Sequence, residues 1–296
     1  MMATVLGLDI GGSKTQAVRS EDGTVVAEAL SGSANVMSVG TVEAGLQLDT
    51  IVARVGNHDI DAVCAGAAGI DTPAGERRLR DLLSSRFPRA KIRIVHDSQL
   101  ILAAAGLTDG IAVISGTGSV AWGRTGTESA RAGGWGYLLG DEGSGYWIGR
   151  EAVRHTLGRV DRNEHPDRLG QEIAADCGLQ SAADLLDHFY AQPERRYWAG
   201  RARVVFELAK TGDATCLSII EEAARHLANL AVAVGERLGT PVPVVLAGGL
   251  AVHQPALQRG VRRHLAEHRI HDVRILTVDP VRGAIEIAQR MLQEQK

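Results

Sequence analysis

The sequence predicts an α/β fold in which one unit, ordered βββαβαβα, is used twice. Three observations predict it. Two glycine-rich turns, Asp9-Ile10-Gly11-Gly12-Ser13-Lys14-Thr15 and Ser115-Gly116-Thr117-Gly118-Ser119, each follow a short buried-strand pattern, Val5–Leu8 and Ile111–Ile114. Two further short strands follow each turn. Strands then alternate with helical stretches in both halves, which argues for mixed sheets covered by helices.

In the first half, Thr4–Asp9, Thr15–Ser20 and Thr24–Ala29 read as three strands, the second turn being Glu21-Asp22-Gly23. A helix is expected over Val42–Val55, a strand over Ala62–Gly66, a helix over Ala74–Arg86, a strand over Ile92–His96 and a helix over Ser98–Ala105. The order then restarts with strands Ile111–Ser115, Val120–Arg124 and Ser129–Ala132. Extra helices fill the stretch between Gly145 and Leu238, ending in a helix Ser218–Leu238 that lines up Ile219, Ala223, Leu227, Leu230, Val234 and Leu238 on one stripe. Strand Val242–Ala247, helix Pro255–His268, strand Val273–Val278 and helix Ala284–Leu292 complete the second unit. A duplicated unit of this order is the pattern of the actin-like, ribonuclease-H-like ATPase fold. It implies an N-terminal domain over residues 1–108, with the C-terminal helix (283–296) packing back on it. The C-terminal domain then covers 109–282 with a helical insertion, and the nucleotide is expected in a cleft between the halves.

Composition narrows the function classes. The chain has 296 residues, 45% apolar and 23% charged, as in an ordinary globular protein, and a net charge of −3 provides no basic field for nucleic acid. No apolar run approaches the roughly 18 residues of a membrane span. The first ten residues lack the basic start of a signal peptide. Cys64, Cys177 and Cys216 are far apart with no paired spacing, and read as reduced thiols. A cytoplasmic protein is expected, with no membrane or nucleic-acid partner.

Gly11-Gly12-Ser13-Lys14 lies between two strands, and so departs from the P-loop, whose lysine opens a helix. Glycines there can take positive φ and let consecutive amides face an anion. A β-hairpin turn alone would account for the double glycine, but a second cradle at Gly116-Thr117-Gly118 makes ATP phosphates the stronger reading. Asp9, at the strand end, is placed to hold Mg²⁺ through water. Val244–Ala247 runs into Gly248-Gly249, where a flat base could lie against bare backbone; a plain strand-to-helix turn fits equally well. Asp97 is a candidate general base for phosphoryl transfer, or a cap for the helix that follows. His96, by strand alternation, is expected to point away from it. Gly133-Gly134-Trp135-Gly136-Tyr137-Leu138-Leu139-Gly140-Asp141-Glu142-Gly143-Ser144 has the glycines, aromatics and acids of a sugar-shaping loop, and Ser33-Ala34-Asn35-Val36-Met37 offers a side-chain amide.

Across Ile114–Ser119 and Gly133–Val153 the chain resembles the N-acetylglucosamine kinase and glucosamine kinase family, in the group that shares its fold with benzoyl-CoA-reductase-type ATPases. The resemblance runs through nearly the whole length. It implies ATP-dependent phosphorylation of an amino sugar at its 6-hydroxyl, with ATP and Mg²⁺ as cofactors. Carried over by motif, Asp97 matches the general base, and Asn35, Ser119, Gly134, Trp135, Gly136 and Asp141 match sugar contacts. Ser13 and Thr117 match positions touching ATP phosphates. Ala209, in the helix before Gly212-Asp213, matches an adenosine contact. Val120 stands where relatives can carry a polar sugar contact. Met37 stands where some carry an aromatic residue, which leaves glucosamine and N-acetylglucosamine both open. A homodimer is expected. The competing classes are an ATPase that activates an iron–sulfur dehydratase, which would need cysteines gathered at a dimer interface, and a non-catalytic sugar sensor, which would not need Asp97.

Overall fold

The computed structural model describes residues 3–67 and 72–294, which form two compact units. The first unit holds the described residues up to Thr108 together with the stretch from Leu276 onward; the second is Asp109–Ile275. The first begins with β1 (Thr4–Ile10), β2 (Lys14–Glu21), β3 (Thr24–Gly32), α1 (Val36–Val55), β4 (Ala62–Ala67), α2 (Pro73–Arg86), β5 (Lys91–His96) and α3 (Asp97–Ala104). The second runs β6 (Gly110–Ser115), β7 (Ser119–Thr125), β8 (Glu128–Gly133), α4 (Gly145–Asp161), α5 (Arg168–Asp176), α6 (Leu185–Ala191), α7 (Arg195–Lys210), α8 (Ala214–Leu238), β9 (Val244–Ala247), α9 (Gly249–His253), α10 (Pro255–Glu267) and β10 (Val273–Ile275). Helix α11 (Val281–Gln293) belongs to the first unit.

Both sheets have five strands and the same topology. The first is ordered β3-β2-β1-β4-β5 and the second, read from the other edge, β8-β7-β6-β9-β10. In each, the first three strands pair antiparallel and the last two join the first in parallel. Among the described residues no helix is long and apolar enough to cross a membrane.

Alternation along β1 divides the first unit. Leu6, Leu8 and Ile10 face a core shared with α1 and α2, including Leu48, Ile51, Leu79 and Leu83. Val5 packs in a second core with Leu100 of α3 and Val281, Ala284, Ile285 and Ala288 of α11. Glycines set how closely these layers meet. A Cβ on Gly7 would lie 3.0 Å from Ala284 Cβ and from the α11 backbone. One on Gly66 would lie 2.3 Å from Leu100, and one on Gly283 only 2.0 Å from the Leu100 carbonyl oxygen. Helix α3 is therefore clamped between β4 and α11 at near-backbone contact.

Several boundaries differ from expectation for identifiable reasons. Helix α1 gains a first turn at Val36, where Asn35 caps it by accepting from Met37 N; Gly40, at φ +79°, separates that turn from the helix proper. Strand β9 starts at Val244 because Pro243 has no N–H for the ladder. Strand β10 stops at Ile275, since the chain leaves the second unit at Leu276. Helix α11 starts three residues before Ala284, and Gly283 lies inside its first turn because only a glycine fits against Leu100.

Two glycine substitutions should move stability in opposite directions. Gly283→Ala forces a Cβ into the Leu100 carbonyl and should cost about 2–3 kcal/mol as overpacking. Gly200→Ala, inside α7 with nothing within 4 Å of its Cβ position, should stabilise by roughly 0.5–1 kcal/mol. Paired denaturant melts read both, and a neutral Gly283→Ala would refute the clamp.

Candidate active site

The parallel strands of the first sheet place its functional candidates along one edge. Registers Ile10↔Ala67 and Ala67↔His96 bring the C-terminal ends of β1, β4 and β5 level. Asp9 thus sits at the end of β1 and Asp97 just past the end of β5, two strands or roughly 10 Å away. Asp9 lies on the α3/α11 face, as its alternation with Val5 and Gly7 requires. Its carboxyl is pushed up to about 6, chiefly by burial, then by Asp97, with Lys14 acting in the opposite sense and Asp279 adding to the rise. Sequence reading missed Asp279. It lies ahead of α11, accepts from Gln16 Nε2 at 3.4 Å, and its carbonyl accepts from Arg282 N. Its Asp-Pro step was the only local signal, and that marks a turn, not a site.

Asp97 is the first residue of α3. Its Oδ1 accepts from Ser98 N at 2.8 Å, so it takes part in capping while remaining partly exposed. The expectation for His96 is corrected: its Nδ1 lies 2.9 Å from Asp97 Oδ1 and 3.3 Å from Ser98 N. The strand period ends at His96, and the turn into α3 swings the imidazole back towards the carboxylate.

The β1–β2 turn is stitched to the loop carrying Asn35. Ser33 Oγ donates to Gly11 O at 2.8 Å, Ala34 N donates to the fully buried Thr15 hydroxyl at 2.8 Å, and Asn35 N donates to Ser33 Oγ at 3.1 Å. Asn35 is itself buried, with Oδ1 holding Met37 N at 3.0 Å. Gly12, Ser13 and Lys14 form the exposed tip. Gly11, Gly12, Gly116 and Gly118 all lie outside the left-handed region. A bare turn here serves close approach, as at Gly11, whose Cβ position is 3.3 Å from Lys14 O.

In the second unit the turn after β6 and the glycine-rich loop form one structure. Ser115 Oγ donates to Gly143 O at 2.8 Å and Ser119 Oγ to Glu142 O at 2.7 Å. Gly134 N donates to Ser119 O at 3.0 Å, and Gly145 N to Gly116 O at 2.8 Å. Asp141, 5% exposed and at φ +62°, turns its carboxylate under the turn, where Oδ1 accepts from Ser119 N at 3.3 Å. A Cβ on Gly118 would lie 2.8 Å from Asp141 Oδ2. Thr117 remains partly exposed at the tip. Gly134 and Gly136 do take positive φ, and Trp135 between them is exposed, with the Arg131 guanidinium 5.7 Å from its ring centroid. Gly248, at φ +86°, packs against Ser115, and the Cβ position of Gly116 is 3.9 Å from Gly249 N. The structure thus brings Gly116–Ser119, Gly134, Asp141, Gly248 and Gly249 together. Ala209 stands apart chemically: its methyl belongs to the apolar core, and its carbonyl accepts from Gly212 N at the end of α7.

The two units share one topology, each with a bare turn after its first strand and a carboxylate close by. The chain belongs to the BadF/BadG/BcrA/BcrD ATPase family, whose profile matches residues 6–288. It is 34% identical over 236 residues to the N-acetylmuramic acid/N-acetylglucosamine kinase of Clostridium acetobutylicum, covering 76% of this chain and 77% of that one. It is 27% identical to the N-acetyl-D-glucosamine kinase of Dictyostelium discoideum, covering 96% and 97%. In fold it is similar to a crystal structure from Porphyromonas gingivalis that carries a provisional N-acetylglucosamine kinase designation, with a TM-score of 0.74, 24% identity and coverage of 99% and 100%.

The raised Asp9 carboxyl gives a stability test. Its folded value of about 6 exceeds the ordinary 3.8, so the native state holds the proton more tightly. Stability then falls as pH rises from about 4 to 6, and above that window the ionised group costs at most about 3 kcal/mol. Asp9→Asn should therefore melt higher than wild type at pH 7.5, with the gap shrinking below about 1 kcal/mol by pH 4. Parallel melting curves at equal ionic strength decide it; a gap independent of pH would show that burial of the charge is not the cause.

Proposed function

We propose that this protein is an ATP-dependent amino-sugar kinase that phosphorylates the 6-hydroxyl of N-acetylglucosamine or glucosamine, with Asp97 as general base. The observation that carries the reading is Asp97 itself, a partly exposed carboxylate at the carboxyl end of a parallel strand, in a chain whose relatives are amino-sugar kinases. Asp97 accepts the proton of the attacking hydroxyl, which in a loose phosphoryl transfer leaves late. The contact with His96 and the bond from Ser98 N hold it in one orientation. Asn35 and the Gly134–Gly136 and Asp141 loop bind the sugar. Ser13, Lys14 and the Gly116–Gly118 turn bind phosphates, and Gly248 with Gly249 leaves flat bare backbone for the base.

Asp97 and Asp279 both act on Asp9, with Lys14 opposing them, and hard oxygen donors of this kind fit Mg²⁺. Among the described residues no three His, Cys, Asp or Glu side chains converge as a direct ligand set, so Asp9 would hold the ion through water. Mg²⁺ supplies charge neutralisation on the nucleotide's phosphates. The iron–sulfur activator is the weaker reading, because Cys64 and Cys216 are buried in different cores and burial pushes both thiols up, Cys64 to about 12.

A coupled ADP-release assay across glucosamine, N-acetylglucosamine, N-acetylmuramate and glucose tests the assignment; turnover independent of every sugar would sink it. Asp97→Asn retains size and capping capacity but takes up no proton. It should lower kcat by about 10²–10⁴ with ADP affinity within twofold. A large loss of melting temperature in its place would make Asp97 a cap. Asp141→Asn should raise the sugar KM or lower kcat about ten- to a hundredfold while the ATP KM stays near wild type. Equal changes in both KM values would make the loop purely structural.

A further inference from the structure

Beside the Gly116–Gly118 turn lies a cavity of about 480 Å³ lined by Thr117, Gly118, Glu194, Arg195 and Arg196. Two guanidinium-bearing residues and one carboxylate therefore share a rim with the turn assigned to phosphate, and the balance at that rim is cationic. Sequence reading gave no reason to connect them, since Arg195 lies 77 residues beyond Gly118 in an inserted helix.

Packing explains the approach. Helix α4 starts at Gly145, whose N–H donates to Gly116 O. A Cβ on Gly145 would lie 3.2 Å from Ala199 Cβ and from Ala199 O of α7, and 3.2 Å from Gly116 O. One turn further on, a Cβ on Gly149 would lie 2.2 Å from Trp198 O. Helices α4 and α7 thus meet backbone to backbone at the foot of the turn, and that crossing sets the first turn of α7 beside Thr117. Trp198 and its neighbours lock the crossing: the indole is 1% exposed and donates to Gln192 O at 2.8 Å. Arg195 is exposed, and its guanidinium lies 5.5 Å from the centroid of the Tyr137 ring. Tyr137 in turn packs edge-on to Tyr146 with centroids 5.1 Å apart. A guanidinium held over an aromatic face keeps its N–H edges for other partners while losing little conformational freedom on binding.

We propose that Arg195 binds the polyphosphate tail of the nucleotide, donating to its oxygens opposite the Thr117–Gly118 turn, with Arg196 adding charge at the same rim. The proposal deepens the kinase reading and rests on its assignment of the turn to phosphate. Guanidinium suits the role because its planar donors engage two phosphate oxygens together and stay charged at every working pH. Glu194 on the same rim opposes them in charge, leaving a net cationic rim.

The test is equilibrium binding of ADP, adenosine and inorganic tripolyphosphate to wild type, Arg195→Gln and Arg195→Lys, with melting curves for each. Arg195→Gln should weaken ADP and tripolyphosphate about tenfold, leave adenosine unchanged, and lose less at 0.5 M salt. Arg195→Lys should recover part of the loss. In turnover the ATP KM should rise with the sugar KM unchanged at saturating ATP. ADP binding equal to wild type in Arg195→Gln overturns this proposal alone, and equal weakening of adenosine and ADP overturns it as well, since that marks a general disturbance of the unit. Failure of wild type to bind ADP would overturn the kinase reading and this proposal with it.

Discussion

Backbone-to-backbone approach at glycine is the constraint on which the rest of the structure depends. In the first unit α3 cannot settle between β4 and α11 unless Gly66 and Gly283 lack side chains, since a Cβ at either would overlap Leu100. The position of α3 is the position of Asp97, its first residue. The same device recurs in the second unit, where Gly248 lies against Ser115 and Gly149 against Trp198 O. Those contacts fix the floor of the Gly116–Gly118 turn and the start of α7. Interiors this tightly packed do not absorb an added methyl by local adjustment. The layers beneath the candidate residues of each unit are in near-backbone contact, and its polar bonds are built on that frame.

On this frame the first unit gathers negative charge around Asp9. Its carboxyl is pushed up first by burial and then by Asp97, with Asp279 adding to the rise and Lys14 opposing it. An ionised group in that position lowers stability. A carboxylate that served only to terminate β1 would gain nothing from that position, where solvent-exposed turn residues such as Gly12 and Ser13 lie three or four residues away. Electrostatic cost of this kind is what makes Asp9 a candidate for function.

Much of the fold was legible because it is written in short periods. Short, nearly continuous apolar runs along β1, β6 and β9, with glycine or proline at their ends, are local signals, and the repeat of βββ then gives the sheet order. Helix α1 starts six residues before the sequence pattern places it, because its first turn exists only through the Asn35 cap and is broken from the rest at Gly40. His96 was misdirected because strand alternation was extended one residue past the strand. The glycine turns are visible in the sequence; their φ angles are ordinary, and what the absent side chains provide is room. The Gly133–Ser144 loop was visible from composition alone. That Asp141 curls back beneath Ser119, and that Ser33 and Thr15 tie Asn35 to Gly11, depend on pairings across 22 and 19 residues or more. No local pattern encodes them.

The duplication also explains why chemistry is distributed unequally between the units. They share strand order and the placement of a bare turn after the first strand. In the first, that turn follows an acid, and the edge of the sheet adds Asp97. In the second, the equivalent turn carries Thr117 and buries its acid, Asp141, beneath the backbone, while α7 brings Arg195 and Arg196 to the rim. The two turns share a place in the topology and differ in charge: acceptors gather beside the first, and guanidinium donors line the rim of the second, over the same kind of close-packed glycine frame.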